Sequence, residues 1–448
     1  MRIRLTKLWE SVSASYWFVP TLMAVLSVVL ALAMLAVDRG LGPEVLRDVG
    51  WVYTGGADGA RELLATVAGS MITVAGVVLS ITIVVLSLAS SQLGPRILRN
   101  FMGDRPSQVV LGTFTATYLY SLVVLRTIRG DGDDFDAFVP EVSVTVGVLL
   151  AAAALGVLIY FVHHVALLIQ APHAVASVAR EMDATIERMF PSSLGRPAPE
   201  RDSVRDVPPR FGDEAAPVSS SGTGYLQAVD VEKLIDRARE RDVLVRLLPR
   251  PGHFVFEGAE LARVWPADRL DAGLAEKINE ALILGPERTP TQDVEFAVRQ
   301  MVEIAVRALS PGLNDPFTAV TCIDQMGARL LRLARCRFPD GFRYDDGGQL
   351  RVITNPNSFE GVMDAAFDQL RQNAGRVPAV LIRILETLAV LGAHATDERA
   401  RESIRRHAVM VHRAAHAGVE EPWDLRDVDE RFDAVLQALE RGAEVHPG

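Results

Sequence analysis

The chain has 448 residues, of which 49% are hydrophobic, 6% aromatic and 23% charged, with a formal net charge of -10. At roughly 150 residues per domain this leaves room for two or three domains. The acidic balance argues against a nucleic-acid partner, which needs a clustered basic face. The two cysteines, Cys322 and Cys336, exclude a disulfide scaffold and read as reduced thiols on a helix.

The mean hydropathy of +0.20 hides an uneven distribution, because the apolar residues concentrate before residue 171. Four apolar stretches, residues 16–37, 63–90, 109–125 and 142–169, each reach the roughly 20 helical residues that cross a bilayer core of about 30 Å. Helices satisfy every backbone polar group internally, so spanning helices are the economical reading. Lysine and arginine in the short loops set the orientation. Arg2, Arg4 and Lys7 precede the first stretch, and Arg96, Arg99 and Arg105 lie between the second and third. The loop between the third and fourth is acidic, with Asp131, Asp133, Asp134, Asp136 and Glu141. Both termini are therefore expected in the cytoplasm, in a bacterial inner membrane. A signal peptide is the rival for the first stretch, since Ala31-Leu32-Ala33 resembles a cleavage site, but the run is long for that role.

In the second stretch Gly69, Thr73, Gly76, Ser80 and Ser87 recur at helical intervals, drawing a stripe of small and weakly polar groups. Such a stripe serves either close helix packing or the lining of a pore within an oligomer. Thr113, Thr117 and Ser121 share one face of the third stretch and are expected to meet it. No charged residue lies in the middle of a span, which argues against a proton-coupled pump or a voltage sensor. Arg96, Arg99 and Arg105 are expected to contact anionic lipid headgroups. His163 and His164, adjacent near the end of the fourth stretch, point about 100° apart on a helix and make a poor chelating pair. They are interfacial anchors or, because histidine titrates near neutrality, candidates for a pH-responsive gate.

Beyond the spans, residues 171–194 hold a connecting helix, and residues 195–224, rich in Pro, Ser and Gly, read as a flexible linker. Residues 225–448 read as a cytoplasmic α+β region. In its first part, 225–266, strands at 225–229 and 243–248 flank a helix beginning near Val231, and 253–256 pairs with 261–265 as a hairpin turning at Glu257-Gly258. Residues 267–448 are mainly helical. Thr289, Pro290 and Gln292 look like a cap, a first-turn proline and a capping-box partner for a helix that buries Val294, Val298, Met301, Ala305 and Ala308. Ser310-Pro311-Gly312 stops it, and Asp315 caps the next helix at Pro316. The intervening turn, with Asn314 and Asp315, is punctuation between two helices or a contact for a ligand or neighbouring subunit. His412 and His416 share a helix face with Glu420 and Glu421 just beyond. Two histidines fall short of a metal site without a third ligand, so a solvated face, no metal and no cofactor are expected. No nucleotide-binding, zinc-protease or serine-nucleophile motif is present, and no catalytic residue is assigned.

Four segments read together: residues 87–100 (SLASSQLGPRILRN), 161–170 (FVHHVALLIQ), 292–299 (QDVEFAVR) and 308–324 (ALSPGLNDPFTAVTCID). In this order they resemble the bacterial family of predicted membrane proteins filed as domain of unknown function 2254. The resemblance implies an integral membrane protein with a cytoplasmic C-terminal region and no assigned activity. The resulting expectation is a four-helix transmembrane domain over residues 1–170 followed by a mostly helical α+β region, working in the lipid bilayer as a homo-oligomer. Its function is expected to be channel-like or transport-related, with the cytoplasmic region regulating. The alternative is a non-conducting sensor or scaffold whose cytoplasmic region binds a protein or small ligand of unknown identity.

Overall fold

A computed structural model describes residues 16–40, 53, 55–93, 104–130, 137–168, 170–190, 206–336 and 338–445. It divides into two compact units, Met1–Ala174 and Val175–Gly448.

The first unit is built from α1 (Phe18–Gly40), α2 (Ala57–Leu93), α3 (Arg105–Leu125) and α4 (Glu141–Leu168), each long and apolar enough to cross a membrane. Its most apolar stretch is 44% buried in α3 and 22% in each of the others, so α3 is the helix around which they pack. One core layer gathers Ala31, Leu64, Tyr120, Val124 and Val144; the other gathers Ala75, Val78, Val110, Phe114, Ala154 and Phe161. Lipid gives no hydrophobic drive for helices to associate, so close approach and hydrogen bonds must hold the bundle. Gly112 of α3 permits such an approach: a Cβ there would lie 3.3 Å from the Pro20 Cα of α1. Asp38 of α1 accepts hydrogen bonds from the backbone N–H groups of Val142 and Ser143 at 2.9 and 3.0 Å, capping α4. The Tyr120 hydroxyl donates to the Ser143 carbonyl at 2.9 Å. The hydroxyls of Thr73, Thr82, Thr113, Thr117 and Ser121 each donate to the carbonyl four residues back, which satisfies them without a neighbouring helix.

The second unit begins on α5 (Ala171–Met189) and continues through α6 (Phe211–Glu214), β1 (Ala216–Ser219), β2 (Gly224–Val229), α7 (Val231–Arg241), β3 (Leu244–Leu247), β4 (Phe254–Val255), β5 (Glu260–Trp265), α8 (Ala272–Ala281) and β6 (Leu282–Gly285). It ends with α9 (Val294–Ala308), α10 (Pro316–Ala334), β7 (Phe342–Tyr344), β8 (Leu350–Ile353), α11 (Phe359–Asn373), α12 (Pro378–Gly392), α13 (Glu398–Gly418) and α14 (Pro422–Val445). One sheet has the order β1-β5-β3-β8-β7, with β3 and β8 parallel; the other is the antiparallel β4-β2-β6. Leu226, Leu234, Val245, Val264, Ile278 and Val352 meet in the core that the sheets share with α7 and α8. Asp183 and Glu187 on α5 form ion pairs with Arg329 and Arg332 on α10 at 2.6–3.1 Å.

Three expectations require correction. The end of the supposed linker is structured: Phe211 is buried, and β1 pairs along β5. The hairpin over 253–265 does not form, because β4 joins β2 while β5 joins β1 and β3 in the other sheet. Alternation identified both strands, but pairing depends on partners distant in sequence. Finally, α9 is capped by Asp293, whose side chain accepts from the Phe296 N–H at 3.0 Å, and not by Thr289. Gln292 is engaged elsewhere: its side chain accepts from the Val229 N–H and donates to the Val229 carbonyl, extending β2 by a side-chain rung.

Candidate functional site

Gly69, Thr73, Gly76, Ser80 and Ser87 all lie on the exposed side of α2, while the opposite side buries Ala60, Leu64, Ala68, Ala75, Val78 and Val85. A Cβ built on Gly69 or Gly76 meets nothing within 4 Å. The expected meeting with α3 does not occur: the stripe is exposed, whereas Thr117 and Ser121 are buried.

At the end of the bundle where α3 begins, Asp104 and His164 meet. Asp104 Oδ2 accepts from the backbone N–H of Ser107 at 3.0 Å and from its hydroxyl at 2.6 Å. His164 Nε2 lies 2.8 Å from the same oxygen, and both side chains are only 16% exposed. Tyr160 stacks on the His164 ring with centroids 5.6 Å apart. His163 points outward, so the adjacent histidines separate as helix geometry requires. Beside the pair, α3 and α4 enclose a cleft of about 540 Å³ with Val109, Val110, Gly156 and Val157 on its walls and Arg105 and Tyr160 at one end. Arg105 is exposed there; Arg96 and Arg99 lie outside the described residues. The sequence reading missed Asp104, although aspartate, a first-turn proline at Pro106 and Ser107 form a helix-start signature.

In the second unit, Asp315 accepts from the Thr318 N–H and hydroxyl at 3.1 and 2.6 Å. The Thr318 hydroxyl holds its carboxyl below the usual range. Asn314 adopts the left-handed conformation with φ 47° and is exposed, between Leu313 at 45% and Phe317 at 84% exposure. The turn therefore presents two apolar side chains as well as its cap. The QDVE segment is a structural junction: besides the Gln292 rung, Asp293 pairs with Arg288 at 2.6 Å and Glu295 with Arg250 at 2.7 Å. Gly252, at φ 93°, sits where a Cβ would strike Asp293. Burial pushes the Cys322 thiol up to about 12, which makes it a packing residue and no nucleophile at neutral pH. His412 and His416 do share a face, but the carboxylate that meets them is Asp429 of α14, at 2.8 and 2.7 Å, in place of Glu420 or Glu421.

Four spanning helices joined to an α+β unit, with an exposed small-residue stripe on one helix and a largely buried polar clasp at one helix end, define a multi-pass integral membrane protein. The chain belongs to the family of predicted membrane proteins known as domain of unknown function 2254, whose profile matches residues 13–390. It is 31% identical over 398 residues to the uncharacterized protein Rv1290c of Mycobacterium tuberculosis and, over the same length, to the uncharacterized protein Mb1321c of Mycobacterium bovis. These alignments cover 88% of this chain and 74% of each relative. No solved structure matches it.

Proposed function

We propose that the protein is a homo-oligomeric, channel-like protein of the bacterial cytoplasmic membrane. The α2 stripe of Gly69, Thr73, Gly76, Ser80 and Ser87 faces the oligomer axis, and the second unit, with both termini, lies in the cytoplasm as a regulatory region. The observation that carries this reading is the exposure of the stripe along a helix whose opposite face is fully used by its own bundle. One four-helix bundle is too small to enclose both a packed core and a wide path, so a wide path requires copies around an axis. Arg96, Arg99 and Arg105 then lie at headgroup level on the cytoplasmic side. The Asp104–His164 pair, 2.8 Å apart, links the start of α3 to α4 at this end of the bundle. Asn314 and Asp315 belong to a turn whose exposed Leu313 and Phe317 suit contact with a neighbouring subunit.

Purified protein in a planar bilayer under a salt gradient tests the reading. Discrete currents are expected from the native chain and at least a ten-fold loss from Ser80→Leu. Unchanged current in Ser80→Leu removes the stripe from the path. A non-conducting sensor or scaffold is the second reading, favoured by the Thr73 hydroxyl already bonded to the Gly69 carbonyl at 2.8 Å, which leaves the stripe suited to dry packing between copies. In that case Ser80→Leu breaks assembly and no current is seen from either chain.

A further inference from the structure

The last two helices, α13 and α14, are joined by three residues and pack side by side as an antiparallel pair. His412 and His416, four residues apart on α13, project from one face toward α14. Asp429 rises from α14 between them. Nε2 of His412 and Nε2 of His416 both point at one atom, Oδ1 of Asp429, at 2.8 and 2.7 Å. Phe432, one helical turn beyond Asp429, stacks on His412 with ring centroids 4.4 Å apart and planes 26° apart, which fixes the imidazole. The three donor atoms lie within 4.8 Å of one another.

We propose that His412, His416 and Asp429 form a binding site for one first-row divalent metal ion of the zinc type. Two imidazoles and one carboxylate are the ligand types that zinc takes at open sites, leaving a fourth position for water or an incoming ligand. At metal–ligand bonds of about 2.0–2.1 Å, tetrahedral donors stand about 3.3 Å apart. The two Nε2···Oδ1 distances therefore open by about half an ångström, within reach of side-chain rotation. Each neutral imidazole moves its proton to Nδ1 and turns the Nε2 lone pair to the ion.

A second cluster shows why the choice falls here. Asp364, Asp368 and His407 also converge, but Arg406 already pairs with Asp364 and Arg371 with Asp368, so guanidinium groups occupy the carboxylates. Among the described residues, Asp429 makes ion pairs with His412 and His416 and with no arginine or lysine. The site is open to solvent, His412 being 31% and His416 44% exposed, so an ion has a way in. It lies beyond residues 13–390 that the family profile matches, and it ties the last helix to its neighbour independently of any role of the α2 stripe.

The test uses the untagged full-length chain in detergent, with Zn²⁺ alone as the probe in competition with a chromophoric chelator. One equivalent per chain is expected, lost in Asp429→Ala and in His416→Gln and retained in His394→Gln, all with native helical circular dichroism. No bound equivalent in the native chain, or an equivalent retained in folded Asp429→Ala, overturns the site. Should a variant misfold, histidine modification by diethyl pyrocarbonate on the native chain decides. Zn²⁺ is expected to shield His412 and His416 and to leave His394 reactive; equal modification with and without Zn²⁺ overturns the proposal.

Discussion

His407 sits on the inward face of α13, fully buried, with Nε2 3.0 Å from Asp364 Oδ1 and with no hydrogen-bond partner for Nδ1 among the described residues. Burial lowers its pKa below the ordinary 6.5; Asp364 and Asp368 oppose that shift and Arg406 adds to it. A histidine whose folded pKa is depressed binds its proton more readily when unfolded. Its contribution to stability is therefore complete above about pH 6.5 and is lost as pH falls below it toward the folded value. Melting of the full chain followed from about pH 7.5 to about pH 5 should show a steeper loss for the native protein than for His407→Phe. Parallel curves would mean that His407 carries no proton linkage. Helical spacing alone puts His407 on a different face from His412 and His416. That Asp364 and Arg406 surround it was not readable, because they meet only once α11 packs on α13.

The spanning helices differ in which face is committed. Gly112 of α3 lies against α1, where an added Cβ would fall 2.5 Å from the Met23 sulfur and 3.3 Å from the Pro20 Cα, whereas Gly76 of α2 has open space around it. Gly112→Val should lower stability by about 1–3 kcal/mol through overpacking, read as a drop in melting temperature of the detergent-solubilised chain. Gly76→Val should leave that melting temperature nearly unchanged and reduce cross-linked oligomer in membranes. Equal melting temperatures for the two variants would contradict the assignment of faces. Apolar length alone located all four helices, the largest miss being the start of α2 at Ala57, six residues before the expected start at Leu63. The identity of the open face on α2 depended on which side chains its neighbours accepted, a question of three-dimensional fit.

For the molecule as a whole, the second unit begins well before the first strand that alternation predicts. Phe211 is buried with the Arg246 guanidinium 4.8 Å above its ring, β1 covers the edge of β5, and α5 is pinned to α10 through Asp183. A fragment of residues 175–448 should be monodisperse in solution. A fragment of residues 225–448 loses β1 and leaves the β5 edge unpaired, which invites association, so it should elute as aggregate on size exclusion. Identical elution of the two would show that β1 and α5 are dispensable.

Composition and hydropathy by themselves determined that the chain enters a bilayer four times, because a 30 Å apolar medium tolerates only long runs free of charge. Local rules likewise determined most of the helices and the Asp315 cap, since periodicity and capping act within a few residues. Tertiary structure alone decided that β4 and β5 belong to different sheets and that Asp293 starts α9 while Gln292 extends β2. It also decided that Asp104 clasps His164 and that Asp429 meets His412 and His416. Each of these joins residues 13 to 60 positions apart or depends on a competing long-range partner, and sequence spacing carries no information on such distances.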